Sequence, residues 1–263
     1  RSLVPRRSDS CCGWPRTGAG ASPAPRVTVM SVGGELVDIS RTPGNGQVYD
    51  VNSYAIAAAA RDAGAEVNRL GIVSTDPKAL REAVEGQLNR AELVVIAGAV
   101  GGAAAENVRA VLSKLGDMEV TRIAMHPGSV QGFGQLGREG GVPTFLLPAN
   151  PVSALVVFEV MVRPLIRLSL GKRQSLRRVV QARALSPISS VPGRKGFLRG
   201  GQLMRDQDTG EYLVQALGGA PPGASSHLLA TLAEANCLVV VPTEVDQVRT
   251  GELVDVAFLA QRG

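Results

Sequence analysis

The stretch 94-VVIAGAVGGAAAENVRAVL-112 decides how the larger part of this chain is read. Val94–Ala97 is an apolar run bounded by glycine, the pattern of a buried strand. Gly98, Gly101 and Gly102 mark a turn, and a helix begins near Ala105. In an open α/β sheet a turn of this kind lies at the edge where ligands bind. Its tip, Ala99–Ala105, has no side-chain hydroxyl, amide or charge. Such a loop can hold a phosphate or carboxylate only by backbone N–H groups and the positive end of the following helix. The plainer reading is that the glycines permit a tight turn and close helix packing.

The pattern continues outward on both sides. Arg26–Val32 reads as a strand that ends in Gly33-Gly34-Glu35, with Asp38 just beyond. Turn signals at Thr42–Gly46 precede a helix over Val51–Ala63, with Asp50 or Asn52 near its cap. Glu66–Val73 is the second strand, and Asp76-Pro77 opens a helix as N-cap and first helical residue. Leu93–Ala97 is the third strand, followed by a helix over Glu106–Leu115. Val120–Met125 and Thr144–Leu147 are further strands, with a short strand or hairpin at Val130–Leu136 between them. Asn150 caps a long helix over Pro151–Leu170. Strand and helix alternate at the spacing of βαβ units, so residues 26–171 are expected to form an α/β domain, a three-layer fold with a mostly parallel sheet.

After about Ser175 short strand-like runs take over, at Val179–Leu185, Phe197–Gly201, Tyr212–Ala216, Cys237–Pro242 and Leu253–Leu259. One short helix is expected at His227–Ala233, and residues 176–263 read as a small β-rich, barrel-like domain. Lys172–Leu176 is the link, and so short a link predicts units whose relative orientation adjusts. Residues 1–25 are rich in Arg, Ser, Gly and Pro without apolar period, and are expected to be disordered. Leu3-Val4-Pro5-Arg6 resembles a thrombin-type cleavage sequence, which leaves a non-native origin open for part of that segment.

Composition narrows the function classes. Of 263 residues 44% are hydrophobic and 19% charged, enough for a substantial core. Aromatics are only 3%, which argues against single-strand nucleic-acid binding on stacking platforms. The net charge of +5 is unevenly spread: Arg163, Arg167, Lys172, Arg173, Arg177 and Arg178 fall close together. They read as a solvated helix end and linker, or as a polyanion-binding patch. Cys11, Cys12 and Cys237 have no metal-ligand spacing and give no disulfide framework. There is no membrane-spanning apolar run and no apolar signal region, so a reducing, cytoplasmic setting is expected.

Four loops at the C-terminal strand ends carry the chemistry: Gly33–Asp38, the alanine-rich loop, His126-Pro127-Gly128-Ser129, and Pro148-Ala149-Asn150-Pro151-Val152-Ser153. The second and fourth run into helix N-termini, which favours an anion. Each also has a plain structural reading. Asn150–Ser153 is a good helix start, Glu35 a turn residue, and His126 a packing histidine with no identifiable partner. The P-loop pattern is absent, and no Ser/His/Asp arrangement can be argued.

Taken in order, these segments resemble the MoeA/gephyrin-E family of molybdopterin molybdenumtransferases. The resemblance is carried by 29-VMSVGGELVD-38, 47-QVYDVNSYAIAAAARDAGAEV-67, 97-AGAVGGAAAENV-108, 125-MHPGSVQGFG-134 and 146-LLPANPVSALVVFE-159. Further on, 194-RKGFLRG-200 and 225-SSHLLATLAEANCLVVVP-242 look like the family's C-terminal β-barrel domain. The resemblance implies a molybdopterin-binding domain related to the MogA fold, within the C-terminal half of a longer, homodimeric protein. It implies molybdate insertion into adenylylated molybdopterin, with loss of AMP and help from Mg2+. It points to Glu35 and Glu106 as catalytic and metal-holding carboxylates. As ligand-binding residues it points to Gly33, Gly98, Gly102, Asn107, Pro127, Gly128, Ser129, Asn150 and Ser153.

The polar residues of the family pattern are thinned out. Gly34 stands where the family has Asp, and Ala97, Ala99, Gly101 and Ala104 replace two hydroxyls, a glycine and an acid. His126 and Ser129 replace two lysines, and Ala149 a glycine. Loss of countercharge predicts a weak or inactive enzyme. The alternative is a gephyrin-like scaffold that binds a peptide tail, such as that of the tubulin-like division protein.

Overall fold

The computed structural model describes residues 23–259 except 138–139, 200 and 217–234. The expectations for residues 1–22 and for a helix at 227–233 lie outside the described residues.

In chain order the first segment runs β1 (Arg26–Val32), the two-residue strands β2 (Leu36–Val37) and β3 (Val48–Tyr49), α1 (Asn52–Ala63), β4 (Glu66–Val73), α2 (Pro77–Leu88), β5 (Leu93–Val100), α3 (Ala105–Leu112), β6 (Gly116–Arg122), β7 (Met125–His126), β8 (Val130–Leu136) and β9 (Val142–Pro148). It closes with α4 (Pro151–Val157), a π-helical turn over Phe158–Val162, and α5 (Arg163–Ser169). The main sheet has the order β4-β1-β5-β9-β8-β6, and of its six strands only β8 runs against the others. The strands that are apolar throughout are central: β5 is buried along its whole length and β1 from Val27 onward, as parallel strands covered on both faces must be. β4 and β6, which alternate, form the two edges.

Two apolar clusters make this unit three-layered. Val27, Val29 and Val95 face Ile56 of α1, Ala154 of α4, Phe158 and Ile166. Met30, Val94 and Ile96 face Leu80 and Val84 of α2 and Val108 and Leu112 of α3. The long helix expected over 151–170 runs without a gap over 151–169, with a π turn in its middle. Pro164 lies at the start of α5, lacks an N–H and would clash with a carbonyl one turn back, so the preceding turn widens.

The second segment contributes β10 (Val179–Ala184), β11 (Ile188–Ser189), β12 (Lys195–Arg199), β13 (Gln202–Arg205), β14 (Tyr212–Gln215), β15 (Cys237–Val241), β16 (Gln247–Val248) and β17 (Leu253–Phe258). Its main sheet runs β13-β14-β10-β17-β15-β12-β7 around a core that includes Ala182, Val214, Cys237, Val239 and Val256. Burial pushes the Cys237 thiol up to about 11, so it is a packing residue rather than a nucleophile.

The two segments share more than a link. β7 leaves the first segment to pair in parallel with β12, as Met125 with Lys195 and His126 with Gly196. Leu238 and Ala257 belong to the same buried cluster as Phe158 and Ile166. Arg177, just after the link, places its guanidinium on Glu159 with Nε–Oε2 at 2.9 Å and Nη2–Oε1 at 3.1 Å, and also reaches Asp62 of α1 at 3.3 Å. The side chains of Glu159 and Arg177 are each only 7% exposed. Arg163 donates to the carbonyl of Ser175. The adjustable link expected from its length is therefore pinned at two points by buried charge.

Candidate functional site

The switch point of the main sheet lies between β1 and β5, because the chain leaves β1 for β4 on one side and then returns to β5 on the other. Ligands of open α/β sheets bind beyond the strand ends at such a point. The end of β5 is pressed against the end of β1. Gly98 has φ +79°, and a Cβ built on it would run into the carbonyl oxygen of Val32. Only glycine fits there. β5 then continues through Ala99 and Val100, which are buried, so the open loop is only residues 101–104 rather than the whole alanine-rich tip. Gly101, at φ +70°, is exposed and has open space where a side chain would be.

The loop after β9 closes against this one. The methyl of Ala149 lies 3.5 Å from where a Cβ on Gly102 would sit. Asn52, buried at the start of α1, donates its amide to the Ala149 carbonyl at 2.8 Å. The loop between β7 and β8 packs on α4: a side chain on Gly128 (φ +84°) would strike Val157. Buried Gln131 donates to the Gly128 carbonyl at 2.9 Å. The structure thus brings Gly33, Gly98, Gly102, Gly128 and Asn150 to one edge of the sheet. Asn52 and Gln131 were missed as site residues; Asn52 acts on a carbonyl far along the chain, which no local pattern marks, and Gln131 braces its own loop from three residues away.

The two helix N-termini differ. At α4, Asn150 Oδ1 accepts from the amides of Val152 and Ser153, both at 3.1 Å, and Ser153 Oγ lies 3.4 Å from the same oxygen. Its first donors are already satisfied, so Asn150 and Ser153 act first as a cap. At α3, Ala104 supplies no side-chain cap. The Ala105 amide bonds to the Gly102 carbonyl, and the amides of Glu106 and Asn107 have no acceptor among the described residues. The open backbone donors therefore belong to the stretch quoted at the outset.

Glu35 folds back at the end of β1, so that a Cβ on Gly33 would lie 2.9 Å from its Oε1. Gly34 has nothing within 4 Å of the position its side chain would take. Glu106 and Asn107 are exposed on the first turn of α3, while Pro127 and Ser129 are half-buried. Among the described residues no three His, Cys, Asp or Glu side chains cluster as a metal cage. His126 is held below the usual histidine range by burial first and by the nearby Arg194 second. It is therefore neutral near pH 7 and supplies no positive charge in place of lysine. Asp38 is bound up with Ser40, Tyr54 and Arg69, well away from acting as a free ligand.

Fold and site together define an open α/β protein with unpaired backbone donors at the start of α3, beside the switch point of its sheet. Comparison with known proteins carries this further. Residues 28–168 match the family described as probable molybdopterin binding domain, and residues 181–259 match the MoeA C-terminal region (domain IV). The chain is 83% identical over 241 residues to molybdopterin molybdenumtransferase 1 of Mycobacterium tuberculosis H37Rv, covering 92% of this chain and 56% of that protein. It is 34% identical over 240 residues to molybdopterin molybdenumtransferase 2 of the same organism, covering 89% of this chain and 56% of that protein. The solved molybdopterin biosynthesis MoeA protein of Pyrococcus horikoshii superposes with a TM-score of 0.74 at 28% identity, over 90% of this chain and 55% of that one. This chain belongs to the MoeA family, with both its molybdopterin-binding and its C-terminal domains. It spans about half the length of the curated relatives it matches.

Proposed function

We propose that the protein to which this chain belongs inserts molybdate into adenylylated molybdopterin, with release of AMP. The observation that carries the reading is the uncapped start of α3 beside Gly101 and Gly102 at the switch point, a place for a phosphate held by backbone donors. The 83% identity to a molybdopterin molybdenumtransferase supports it. Every relative named above is a transferase or a biosynthesis protein, and none favours the peptide-binding scaffold.

In this reading the backbone at the start of α3 binds a phosphate of the substrate and fixes its register. Asn52 and Gln131 keep the flanking loops in place, so that the crevice is formed before the substrate arrives. Glu35 and Glu106 fit the mode in which Mg2+ takes one or two carboxylates and completes its shell with water and substrate phosphate. Bound there, the ion would supply positive charge where phosphate oxygens and molybdate gather. Lysines do not share that task here, since His126 and Ser129 stand in their place. A homodimer in the cytoplasm is part of the same proposal. Among the described residues no helix is long and apolar enough to cross a membrane.

The thinned polar set predicts a slow enzyme. Gly34 has room for a side chain, whereas Ala104 is buried against the α2–α3 layer and would resist a carboxylate. Molybdate insertion should be measured in full-length protein, with the sequence as it stands and with Gly34→Asp and Ala149→Gly combined. The parent is expected to turn over slowly, and the double variant to gain on the order of 10-fold or more in kcat. A parent with no turnover whose variant also has none would overturn the assignment. A parent as fast as its variant would overturn the account of its slowness.

A further inference from the structure

The segment Gly33–Asp50 carries Glu35 out from β1 and back to α1 with almost no apolar anchorage. Ile39, Val48 and Tyr49 are exposed, and β2 and β3 pair over only two residues. Two backbone bonds, Val48 N–H to the Glu35 carbonyl at 2.9 Å and Asp50 N–H to the Val37 carbonyl at 2.8 Å, hold its limbs together. Its position relative to the sheet has to come from polar contacts.

Those contacts converge on one side chain of β4. On the outgoing limb Asp38 accepts from the Ser40 amide at 3.1 Å, the Ser40 hydroxyl at 2.8 Å and the Tyr54 hydroxyl at 2.9 Å. On the returning limb fully buried Asp50 accepts from the amide and hydroxyl of Ser53. Arg69 meets the first directly and the second through Ser53: its Nη1 lies 3.8 Å from Asp38 Oδ2 and donates to Ser53 Oγ at 3.1 Å. Its guanidinium sits over the Tyr54 ring, 3.8 Å from the centroid, a cation–π stack that leaves the Tyr54 hydroxyl free for Asp38. The backbone is shaped for this. β4 carries a bulge at this point, where Val29 pairs with Arg69 and Met30 with Gly71. Gly71 has φ +80°, and a Cβ there would lie 3.1 Å from Arg69 Nη1. Bulges re-aim side chains and recur beside active sites. An arginine on an edge strand, 27% exposed, is not needed to fill the core.

We propose that Arg69 and Tyr54 are positioning residues that hold the Glu35 carboxylate at the end of β1 for metal binding. The inference rests on the molybdate-insertion reading of the same site. Arg69 joins Asp38 of the outgoing limb to Ser53, which holds Asp50 of the returning limb, and Tyr54 fixes Asp38 three residues from Glu35.

Tyr54→Phe removes the hydroxyl and keeps the stacked ring; Arg69→Met removes the cation. In full-length protein each is expected to raise the Mg2+ concentration at half-maximal rate about 10-fold, as loss of an outer-shell partner does. Excess Mg2+ should restore kcat, and the melting temperature should stay near that of the parent. Lower rates that excess Mg2+ does not restore, or kinetics equal to the parent, overturn the proposal. If neither the parent nor the Gly34→Asp, Ala149→Gly variant turns over, the functional reading fails. Amide hydrogen exchange of residues 34–49 in the 263-residue chain then decides. Faster exchange confined to that segment in both variants supports the clamp, and unchanged exchange overturns it.

Discussion

At the scale of single residues, His126 shows how burial decides charge. In the unfolded chain it titrates near the ordinary histidine value of 6.5, and in the folded protein lower, because burial and Arg194 disfavour its protonated form. Between those two values the unfolded state binds more protons, so stability rises with pH across that window and is flat above it. Lowering the pH from 7 through the window should therefore destabilise the parent. His126→Gln should remove that slope. Urea unfolding of both proteins at several pH values checks it, and parallel profiles would count against this account. Glu35 and Glu106 were candidates only through the resemblance to the family's motifs. Asp38 was legible as an acid, but not that its lone pairs are engaged by Ser40 and Tyr54.

At the scale of elements, the helix starts were the most readable features. Asp76 accepts from the amides of Lys78 and Ala79, and Asn150 from those of Val152 and Ser153, each with proline at the first helical turn. Caps are local, reaching two or three residues along the chain, so residue type and spacing suffice. Strand ends were less readable. β5 runs to Val100 because Ala99 and Val100 bury against the α2–α3 layer, beyond the glycine that looked like its end. Gly98 sits inside the strand for the sake of a neighbour, not of a turn. Gly98→Ala should therefore cost about 2 kcal/mol or more, from the positive φ and the overlap with the Val32 carbonyl. Gly101→Ala, with a similar φ but open space, should cost less. Chemical denaturation of the pair tests this, and equal losses would show that close approach to β1 is not what selects glycine at 98.

At the scale of the whole molecule, the two segments are coupled by β7, by the apolar cluster that includes Leu238 and Phe158, and by the Glu159–Arg177 pair. Units so joined are expected to unfold together, in one calorimetric transition. Glu159→Ala leaves Arg163 buried without its counter-charge and Arg177 with only Asp62, and should cost about 3 kcal/mol. The loss should appear as a shift of that single transition. Two separate transitions in the parent, or a shift under about 1 kcal/mol in the variant, would mean that the segments are held only by the link.

What the sequence by itself determined is the alternation of strands and helices, the place where that alternation gives way to short β runs, and the caps that start α2 and α4. All of these are encoded by residues within a few positions of one another, through apolar period and side-chain bonds to nearby amides. The tertiary structure alone decided that β7 would cross to the second sheet, that Arg69 would gather both limbs of the Glu35 segment, and that Arg177 would meet Glu159. Each depends on strand order and register, which bring together residues far apart in the chain, and no local pattern records which distant neighbour a charge or a glycine will meet.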